Sequence, residues 1–399
     1  MMSIKTKLIF SLITVVFSIL SCTKNDVVSP ALEVNYITQT FGNNIDLTKL
    51  EDYAGQRIPT YITKENGANN PISNIKATLG RVLFYDKQLS IDNSISCGSC
   101  HKQEFAFSDT ALRSDGVSGG LTTRHSMRLI NTRFAVEPKF FWNERAASLE
   151  QQTTMPIQDH AEMGFSGLNG RGTLSSLIQK LSPLKYYNQL FKATYGDTII
   201  SEQRMQECLA QFVRSIQSFD SKYDIGRARA NNPNQNFFNF TAAENTGKDL
   251  FSRPPTFDQS GNRIAGGIGC NGCHNAPEFD IDPNSRNNGI IGIINNVNGI
   301  DLQNTRAPSL RDLTNSNGIV NSPMMHTGQF KTLREVLEHY QNINNNPANT
   351  NLDNKLRPNG IGQKLNMTDT EMNSVVAFLS TLSGTNVYTD KKWSNPFTE

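Results

Sequence analysis

The sequence predicts a mainly α-helical protein made of two domains in tandem with long irregular loops. A threonine followed three positions later by a glutamate, a typical helix-start signal, occurs at Thr241, Thr332 and Thr368. Each signal precedes an apolar run with helical spacing, whereas the alternation that is typical of strands is scarce. Loops rich in asparagine and glycine, notably residues 282–304 and 342–354, need packing against a rigid partner to be ordered.

The composition limits the classes of protein that fit. The length of 399 residues and the hydrophobic content of 37% are enough for two domains, each with its own core. The formal net charge is only +2, and the chain has no long basic run, so it lacks the charge pattern of a nucleic-acid-binding protein. Small molecules or proteins are therefore the favoured partners. The six cysteines are too few for a disulfide-built fold and form two close pairs and two single positions.

The N-terminus has the features of a secretory signal. Lys5 and Lys7 precede an apolar run over residues 8–20, which is short for a membrane-spanning helix. The following Ile-Leu-Ser-Cys resembles a bacterial lipobox, so we expect residues 1–21 to be a lipoprotein signal peptide and Cys22 to carry a lipid. An ordinary signal peptide with a chance cysteine is the alternative. A lipid would anchor the exported chain to a membrane on the periplasmic side, with residues 22–73 as tether and lead-in.

Two copies of the pattern C-x-x-C-H define the candidate cofactor sites. They comprise Cys97, Cys100 and His101 in the first half and Cys270, Cys273 and His274 in the second. Thiols one helical turn apart can both add to the vinyl groups of one porphyrin, and the adjacent histidine can then bind the iron. A dithiol redox pair would need a βαβ context, and a zinc site would leave both histidines unexplained. We therefore predict one covalently bound haem c in each domain.

Breaks and helical patterns in the rest of the sequence divide the chain into segments. We expect an N-terminal haem domain over residues 74–235 that begins with a helix, and a C-terminal haem domain over residues 236–385. The break rich in Asn and Pro at residues 231–234 separates the two domains, and residues 386–399 form a tail. In the first domain Cys208 lies on the apolar face of a helical stretch, so we interpret it as a buried core thiol.

Longer stretches of sequence around the two C-x-x-C-H motifs are also recognisable. They include residues 79–86, 141–146, 307–311 and 323–328. In collinear order from about residue 74 to residue 382, the chain resembles the bacterial dihaem cytochrome c peroxidase and MauG family. The resemblance implies two cytochrome c-like haem domains and a peroxidase-type oxidoreductase. Hydrogen peroxide would be reduced at the first haem, and electrons would enter at the second haem from an external donor such as a small cytochrome c.

The resemblance also implies roles for individual residues. His101 and His274 match the residues that bind the two haem irons, and Gln152 and Glu162 fall at the positions of the distal-pocket pair at the first haem. A carboxylate can take a proton from peroxide and return it to the leaving oxygen, while an amide can orient the substrate. Trp142 falls where the family has an aromatic residue between the haems. Without the resemblance, Glu162 would be interpreted as a solvated carboxylate and Trp142 as a core anchor.

Three positions depart from the cytochrome c peroxidases. Those proteins have a methionine ligand to the second haem where this chain has Tyr340; the MauG branch also has a tyrosine there, so we expect a His274/Tyr340 pair. On spacing alone, Tyr340 would be a core residue. Val117 replaces the loop histidine that blocks the first haem, so we expect an open iron position without activation. His125 replaces an asparagine of the family's calcium site, which makes calcium doubtful. Binding of His125 to the first iron is the minority alternative.

Three functions stay open from the sequence. A general peroxidase with a cytochrome donor is our first hypothesis, because no dedicated partner protein is visible. A MauG-like enzyme that oxidises side chains of a partner protein is the second, because of Tyr340. A non-enzymatic dihaem electron carrier is the third and requires both irons to have two protein ligands. Family members are often dimers, so a homodimer is possible for this chain as well.

Overall fold

Helices begin where the sequence signals them. Thr241, Thr332 and Thr368 each accept a hydrogen bond from the backbone of the glutamate three positions later, and each glutamate side chain caps its threonine in return. The helix expected at the start of the N-terminal domain begins after Ser73, whose side chain accepts from the backbone of Lys76. Such a cap contributes about 1 kcal/mol, so local sequence decides where these helices start.

The computed structural model describes residues 34–137, 139–281, 283–321 and 323–398. The helices in these residues are α1 (Tyr36–Phe41), α2 (Asn74–Tyr85), α3 (Cys97–Cys100), α4 (Leu149–Gln158), α5 (Leu174–Leu181), α6 (Lys185–Tyr195), α7 (Glu202–Ser215), α8 (Lys222–Ala228), α9 (Ala242–Ser252), α10 (Leu333–Gln341), α11 (Asp369–Ser380) and α12 (Asn386–Thr389). The strands β1 (Pro255–Phe257) and β2 (Arg263–Gly266), and β3 (His274–Asn275) and β4 (Asp280–Ile281), form two antiparallel pairs. The mainly α-helical class predicted from the sequence is confirmed. Cys22, the expected lipidation site, lies outside the described residues.

Glycines allow the helix crossings on which the two halves are built. In the N-terminal half α2 crosses α7 at Gly80, where an added Cβ would lie 2.0 Å from the carbonyl oxygen of Cys208. In the C-terminal half α9 crosses α11 at Gly247, where a Cβ would lie 1.9 Å from the carbonyl oxygen of Ser374. Only glycine permits backbones to approach so closely. Two separate buried apolar clusters surround these crossings, and Cys208 is buried in the first cluster, as predicted.

The C-terminal end of the chain packs against the N-terminal cluster. The hydroxyl of Tyr53 donates to the carbonyl of Lys392 at 2.6 Å, and that of Tyr85 donates to the carbonyl of Trp393 at 2.7 Å. The indole of Trp393 is 2% exposed and belongs to the N-terminal apolar cluster together with Val387 of α12. The segment that the sequence marks as a tail is therefore part of the packing of the N-terminal half.

A buried ion pair joins Asp224 of α8 to Arg311, which lies between the second C-x-x-C-H motif and α10. The guanidinium of Arg311 is fully buried and donates to the carboxylate of Asp224 at 2.8 Å, and it also donates to the carbonyl of Pro277 at 2.9 Å. The hydroxyl of Tyr61 donates to the same carboxylate at 2.7 Å.

None of the helices in the described residues is long and apolar enough to cross a membrane.

Candidate active site

Two cavities open beside the two C-x-x-C-H motifs. The first cavity, of about 180 Å³, is lined by Cys97, Cys100 and His101. The second cavity, of about 540 Å³, is lined by Cys270, Cys273 and His274. Each motif therefore brings its two thiols and its imidazole to one cavity, as the spacing predicts.

Short helical turns present the motifs. The N–H of Ser96 donates to the hydroxyl of Ser99 at 3.0 Å, and the N–H of His101 donates to the carbonyl of Cys97 at 2.9 Å, which closes α3. The second motif forms a 3₁₀ turn at Cys270–Gly272. Within the described residues, Cys97, Cys100 and Cys270 are free thiols, and burial raises the pKa of each thiol to about 12. They are therefore neutral near pH 7.

Both motif histidines are in a form that can bind a metal. The Nδ1 of His101 lies 3.0 Å from the carbonyl oxygen of Phe107, so a proton held there leaves the lone pair of Nε2 available. The Nδ1 of His274 is buried without a hydrogen-bond partner among the described residues. Burial lowers the pKa of His101 and lowers that of His274 to about 4, so both rings are neutral at pH 7. Neutral imidazole, paired thiols and unfilled space in each cavity fit a thioether-linked haem.

A buried carboxyl lines the first cavity together with the motif. Gln152 of α4 and Glu162 of the following loop both line this cavity, as the sequence predicts. Burial raises the pKa of Glu162 to about 7; the charge of Asp159 raises this pKa further, and the guanidinium of Arg145 lowers it. The Glu162 carboxylate makes no hydrogen bond within the described residues, so both protonation states are accessible near neutral pH.

Arg145 is a residue of this site that sequence reasoning missed. Its guanidinium lies 3.5 Å from the centre of the Phe141 ring and donates to the side chain of Asn143 at 3.0 Å. It lines the first cavity together with Glu162. Its position in residues 141–146, one of the stretches that carry the family resemblance, was the available signal.

The structure does not favour His125 as a ligand to the first haem. Its Nδ1 lies 2.9 Å from the carbonyl of Ala111, and its Nε2 lies 3.3 Å from the hydroxyl of Ser108. Both ring nitrogens are therefore engaged by the protein. Val117, at the position of the family's blocking histidine, is a buried apolar residue whose N–H donates to the carbonyl of Glu162 at 3.0 Å. The expectation that calcium binding beside His125 is doubtful stays a prediction.

Tyr340 of α10 lies in the second cavity together with His274. The side-chain amide of Asn288 donates to the hydroxyl oxygen of Tyr340 at 3.3 Å, and the same nitrogen lies 3.4 Å from the sulfur of Met325. Burial raises the pKa of Tyr340, and the hydrogen bond from Asn288 opposes this rise. Met325 has a φ of +69°, which is strained for a side chain of its size. Sequence reasoning identified Tyr340 but missed Asn288, which lies in a loop without a signal.

Trp142 lies in the wall that separates the cavities. Its indole N–H donates to the carbonyl of His125 at 2.8 Å, and its own carbonyl accepts from the backbone of Thr305 at 3.0 Å. The centre of its ring lies 6.1 Å from that of His326. The inter-cavity wall, as we call it, consists of residues 125–128, Trp142 and residues 306–308, all of which line both cavities. Trp142 therefore lies between the two motif sites, at the place that the family resemblance implies.

A helical fold with two cavities, each lined by one C-x-x-C-H motif, defines a protein of the dihaem c-type cytochrome class. A family profile described as di-haem cytochrome c peroxidase matches residues 74–231. Over most of its length the chain is similar to the dihaem cytochrome c peroxidase and MauG family, so the resemblance recognised from sequence is confirmed. The family implies two c-type haems and oxidoreductase chemistry.

Relatives of both kinds match most of the chain. The methylamine utilization protein MauG of Methylophilus methylotrophus is 27% identical over 325 residues, which cover 79% of this chain and 84% of that protein. The cytochrome c551 peroxidase of Nitrosomonas europaea is 26% identical over 336 residues, 79% of this chain and 85% of that protein. The crystal structure of a MauG-like protein associated with microbial copper homeostasis has a TM-score of 0.65 at 26% identity and covers 86% of this chain and 99% of that chain. The relatives thus divide between cytochrome c peroxidases and MauG.

Proposed function

We propose that this protein is an exported dihaem peroxidase that reduces hydrogen peroxide with electrons from an external protein donor such as a small cytochrome c. The observation that carries the proposal is the first cavity. There Gln152 and Glu162 face the same space as His101, and the nitrogens of His125 are engaged elsewhere. A polar pair that can transfer protons, in the cavity that would hold the first haem, suits peroxide cleavage better than electron transfer alone.

The haems would be held by the two motifs and Tyr340. The first set is Cys97, Cys100 and His101, and the second set is Cys270, Cys273, His274 and Tyr340. When bound, the two haems supply the transfer of two electrons to hydrogen peroxide, which takes up two protons and gives two water molecules. Asn288 donates a hydrogen bond to the oxygen of Tyr340 and so favours its anionic form, the form that binds ferric iron.

The protein residues of the first cavity would handle the protons. The Glu162 carboxylate takes a proton from one oxygen of peroxide and delivers it to the leaving oxygen, and a pKa of about 7 suits both transfers at neutral pH. The side-chain amide of Gln152 orients the peroxide by hydrogen bonding. Trp142, held in the inter-cavity wall by its hydrogen bond to His125, gives electrons an aromatic path between the two sites.

Steady-state turnover with a reduced small c-type cytochrome tests this proposal. Removing a proton-transfer group costs about 10²- to 10⁴-fold in rate, so we expect Glu162→Gln to lower kcat with peroxide by that amount at unchanged haem content. The ferric EPR spectrum should show a high-spin component beside a low-spin one. Two low-spin haems without a reaction with peroxide would contradict the proposal and identify an electron carrier.

A MauG-like activity is the second candidate. It is favoured by Tyr340 in the second cavity and by relatives named MauG. In this case the reductant would be a side chain of a partner protein, which loses the electrons that peroxide gains. Peroxide consumption without turnover of any reduced c-type cytochrome, together with peroxide-dependent oxidation of side chains in a co-purifying protein, would favour this candidate over the first.

We further propose that the mature chain begins at a lipidated Cys22 and is held on the periplasmic side of a membrane by that lipid alone. The support is the lipobox-like sequence at residues 19–22. The mass of the mature protein tests it, because a diacylated cysteine adds lipid mass at the N-terminus. Release of an unmodified chain into the periplasmic fraction would contradict it. Sedimentation of the purified protein would show whether it forms a homodimer.

A further inference from the structure

The inter-cavity wall contains a guanidinium whose hydrogen bonds are incomplete. Arg128 lines both cavities. Among the described residues, its only hydrogen bond runs from Nη2 to the carbonyl of Ser309, at a long 3.4 Å, and its Nε is buried with no acceptor. A guanidinium has several N–H donors in a fixed fork, so most of the donor capacity of Arg128 is unused.

The charge of Arg128 is not paired either. None of the ion pairs in the described part of the chain includes Arg128, and the groups that act on its charge over a longer distance are the hydroxyl of Tyr388 and the carboxylate of Asp312. Asp312 accepts from the backbone of Gly384 at 2.9 Å, and burial raises its pKa to about 6. A buried cation without a partner is strongly unfavourable. An anionic group that reached Arg128 from one of the cavities would supply the missing partner.

The other guanidinium of the wall provides a contrast. Arg306 donates to the backbone carbonyl of Lys139, and its guanidinium lies 4.9 Å from the centre of the Phe140 ring. Three carboxylates, those of Glu137, Glu144 and Asp280, also act on its charge. Both arginines line both cavities, but among the described residues three carboxylates act on the charge of Arg306 and one, that of Asp312, acts on the charge of Arg128.

We propose that Arg128 binds a propionate carboxylate of a haem held in one of the two cavities and thereby provides a fixed positive charge between the haems. The inference rests on the proposed two-haem function. A propionate is the anionic group that a haem brings into such a cavity, and the guanidinium fork matches a carboxylate in a bidentate pair. A nearby positive charge stabilises the reduced haem relative to the oxidised haem, because reduction adds an electron. Arg128 is thus a positioning and tuning residue, and it does not contact peroxide.

Spectroelectrochemical titration of the holoprotein tests the role of Arg128. We expect Arg128→Met and Arg128→Gln to lower the reduction potential of at least one haem, and Arg128→Lys to keep most of the wild-type potential. Resonance Raman spectra of the two neutral variants should show a shifted propionate bending band. Arg227→Met is the matched control, because Arg227 also has a buried Nε without a partner but lines neither cavity. Its potentials and Raman bands should equal those of the wild type.

The outcomes separate this inference from the proposed function. A wild-type protein without haem c by the pyridine haemochrome assay would overturn both. Two haems per chain with unchanged potentials and Raman bands in Arg128→Gln would overturn the role of Arg128 alone. If sodium acetate shifts the wild-type potentials but not those of Arg128→Gln, Arg128 binds a solvent anion and the propionate assignment is wrong. If Arg128→Met does not incorporate haem, Arg128→Gln, which keeps hydrogen-bonding capacity, decides between these results.

Discussion

At the residue scale, Glu162 shows how neighbouring charges set the chemistry of one carboxyl. Burial alone disfavours its charged form, and Asp159 reinforces this effect while Arg145 opposes it. The result is a pKa of about 7, far from the usual value of a glutamate. Such a group can accept and return a proton at neutral pH. The two flanking charges therefore shift the pKa of Glu162 in opposite directions.

The pH dependence of peroxide reduction should report on this carboxyl. Glu162 must be deprotonated to accept the first proton, so kcat/KM should rise as the pH increases through about 7. Asp159→Asn removes a negative charge that raises the pKa of Glu162, so the rising limb should move to lower pH. Arg145→Met removes the opposing positive charge and should move it to higher pH. A rising limb that is unchanged in Glu162→Gln would show that another group titrates.

The role of Tyr340 can be tested by exchanging the donor atom. Tyr340→Met should replace a phenolate signature of the second haem by that of a methionine-ligated low-spin haem with a higher reduction potential, because thioether sulfur favours ferrous iron. The absorption and EPR spectra of the ferric and ferrous protein measure this change. Met325→Leu is the control, since its sulfur shares Asn288 with the hydroxyl of Tyr340. An unchanged spectrum in Tyr340→Met would remove Tyr340 from the iron.

At the scale of elements, the fold depends on helix starts that are local and on helix crossings that are not. The capping boxes at Thr241, Thr332 and Thr368 could be predicted because donor and acceptor lie three positions apart. The crossings at Gly80 and Gly247 could not, because the backbone that each glycine meets comes from a distant helix. In sequence, a glycine that lets two helix backbones approach closely looks the same as a glycine that merely weakens its helix.

Gly247→Ala tests the crossing of α9 and α11. In an exposed helix this change stabilises by about 1 kcal/mol through helix propensity. Here the new Cβ would meet the carbonyl oxygen of Ser374 at 1.9 Å, so we expect a loss of about 1–3 kcal/mol in the free energy of unfolding. Urea unfolding followed by circular dichroism measures the sign. Thr246→Ala, at an exposed neighbouring position of α9, should have no such cost, and a stabilised Gly247→Ala protein would contradict the close crossing.

At the scale of the whole molecule, features that follow from motifs and from their order along the chain can be predicted from the sequence. Features that depend on contacts between distant residues are much harder to predict. The two motif sites, Gln152, Glu162 and Tyr340 could be placed from spacing and family resemblance, and the structure brings them to two cavities. Asn288 could not, because it reaches Tyr340 from a loop far away in the chain. The packing of Trp393 against the N-terminal half could not be predicted either, since nothing in the last residues indicates which half they join.

The C-terminal segment should therefore stabilise the half of the protein that lies farthest from it in sequence. Trp393 is 2% exposed, and its indole N–H lies 3.3 Å from the hydroxyl of Ser215 at the end of α7. Truncation of a buried tryptophan costs about 3–5 kcal/mol, so Trp393→Ala should lower the free energy of unfolding by that amount.

The loss should appear in the transition of the N-terminal half, because Trp393 packs in that cluster and not in the cluster around α9 and α11. Urea unfolding with hydrogen exchange read out separately for α2 and α11 locates it. Lys391→Ala, at an exposed position two residues earlier, is the control and should leave both transitions in place. If Trp393→Ala weakened the protection of α11 and left that of α2 unchanged, the C-terminal segment would stabilise its own half, and the packing described for it would be wrong.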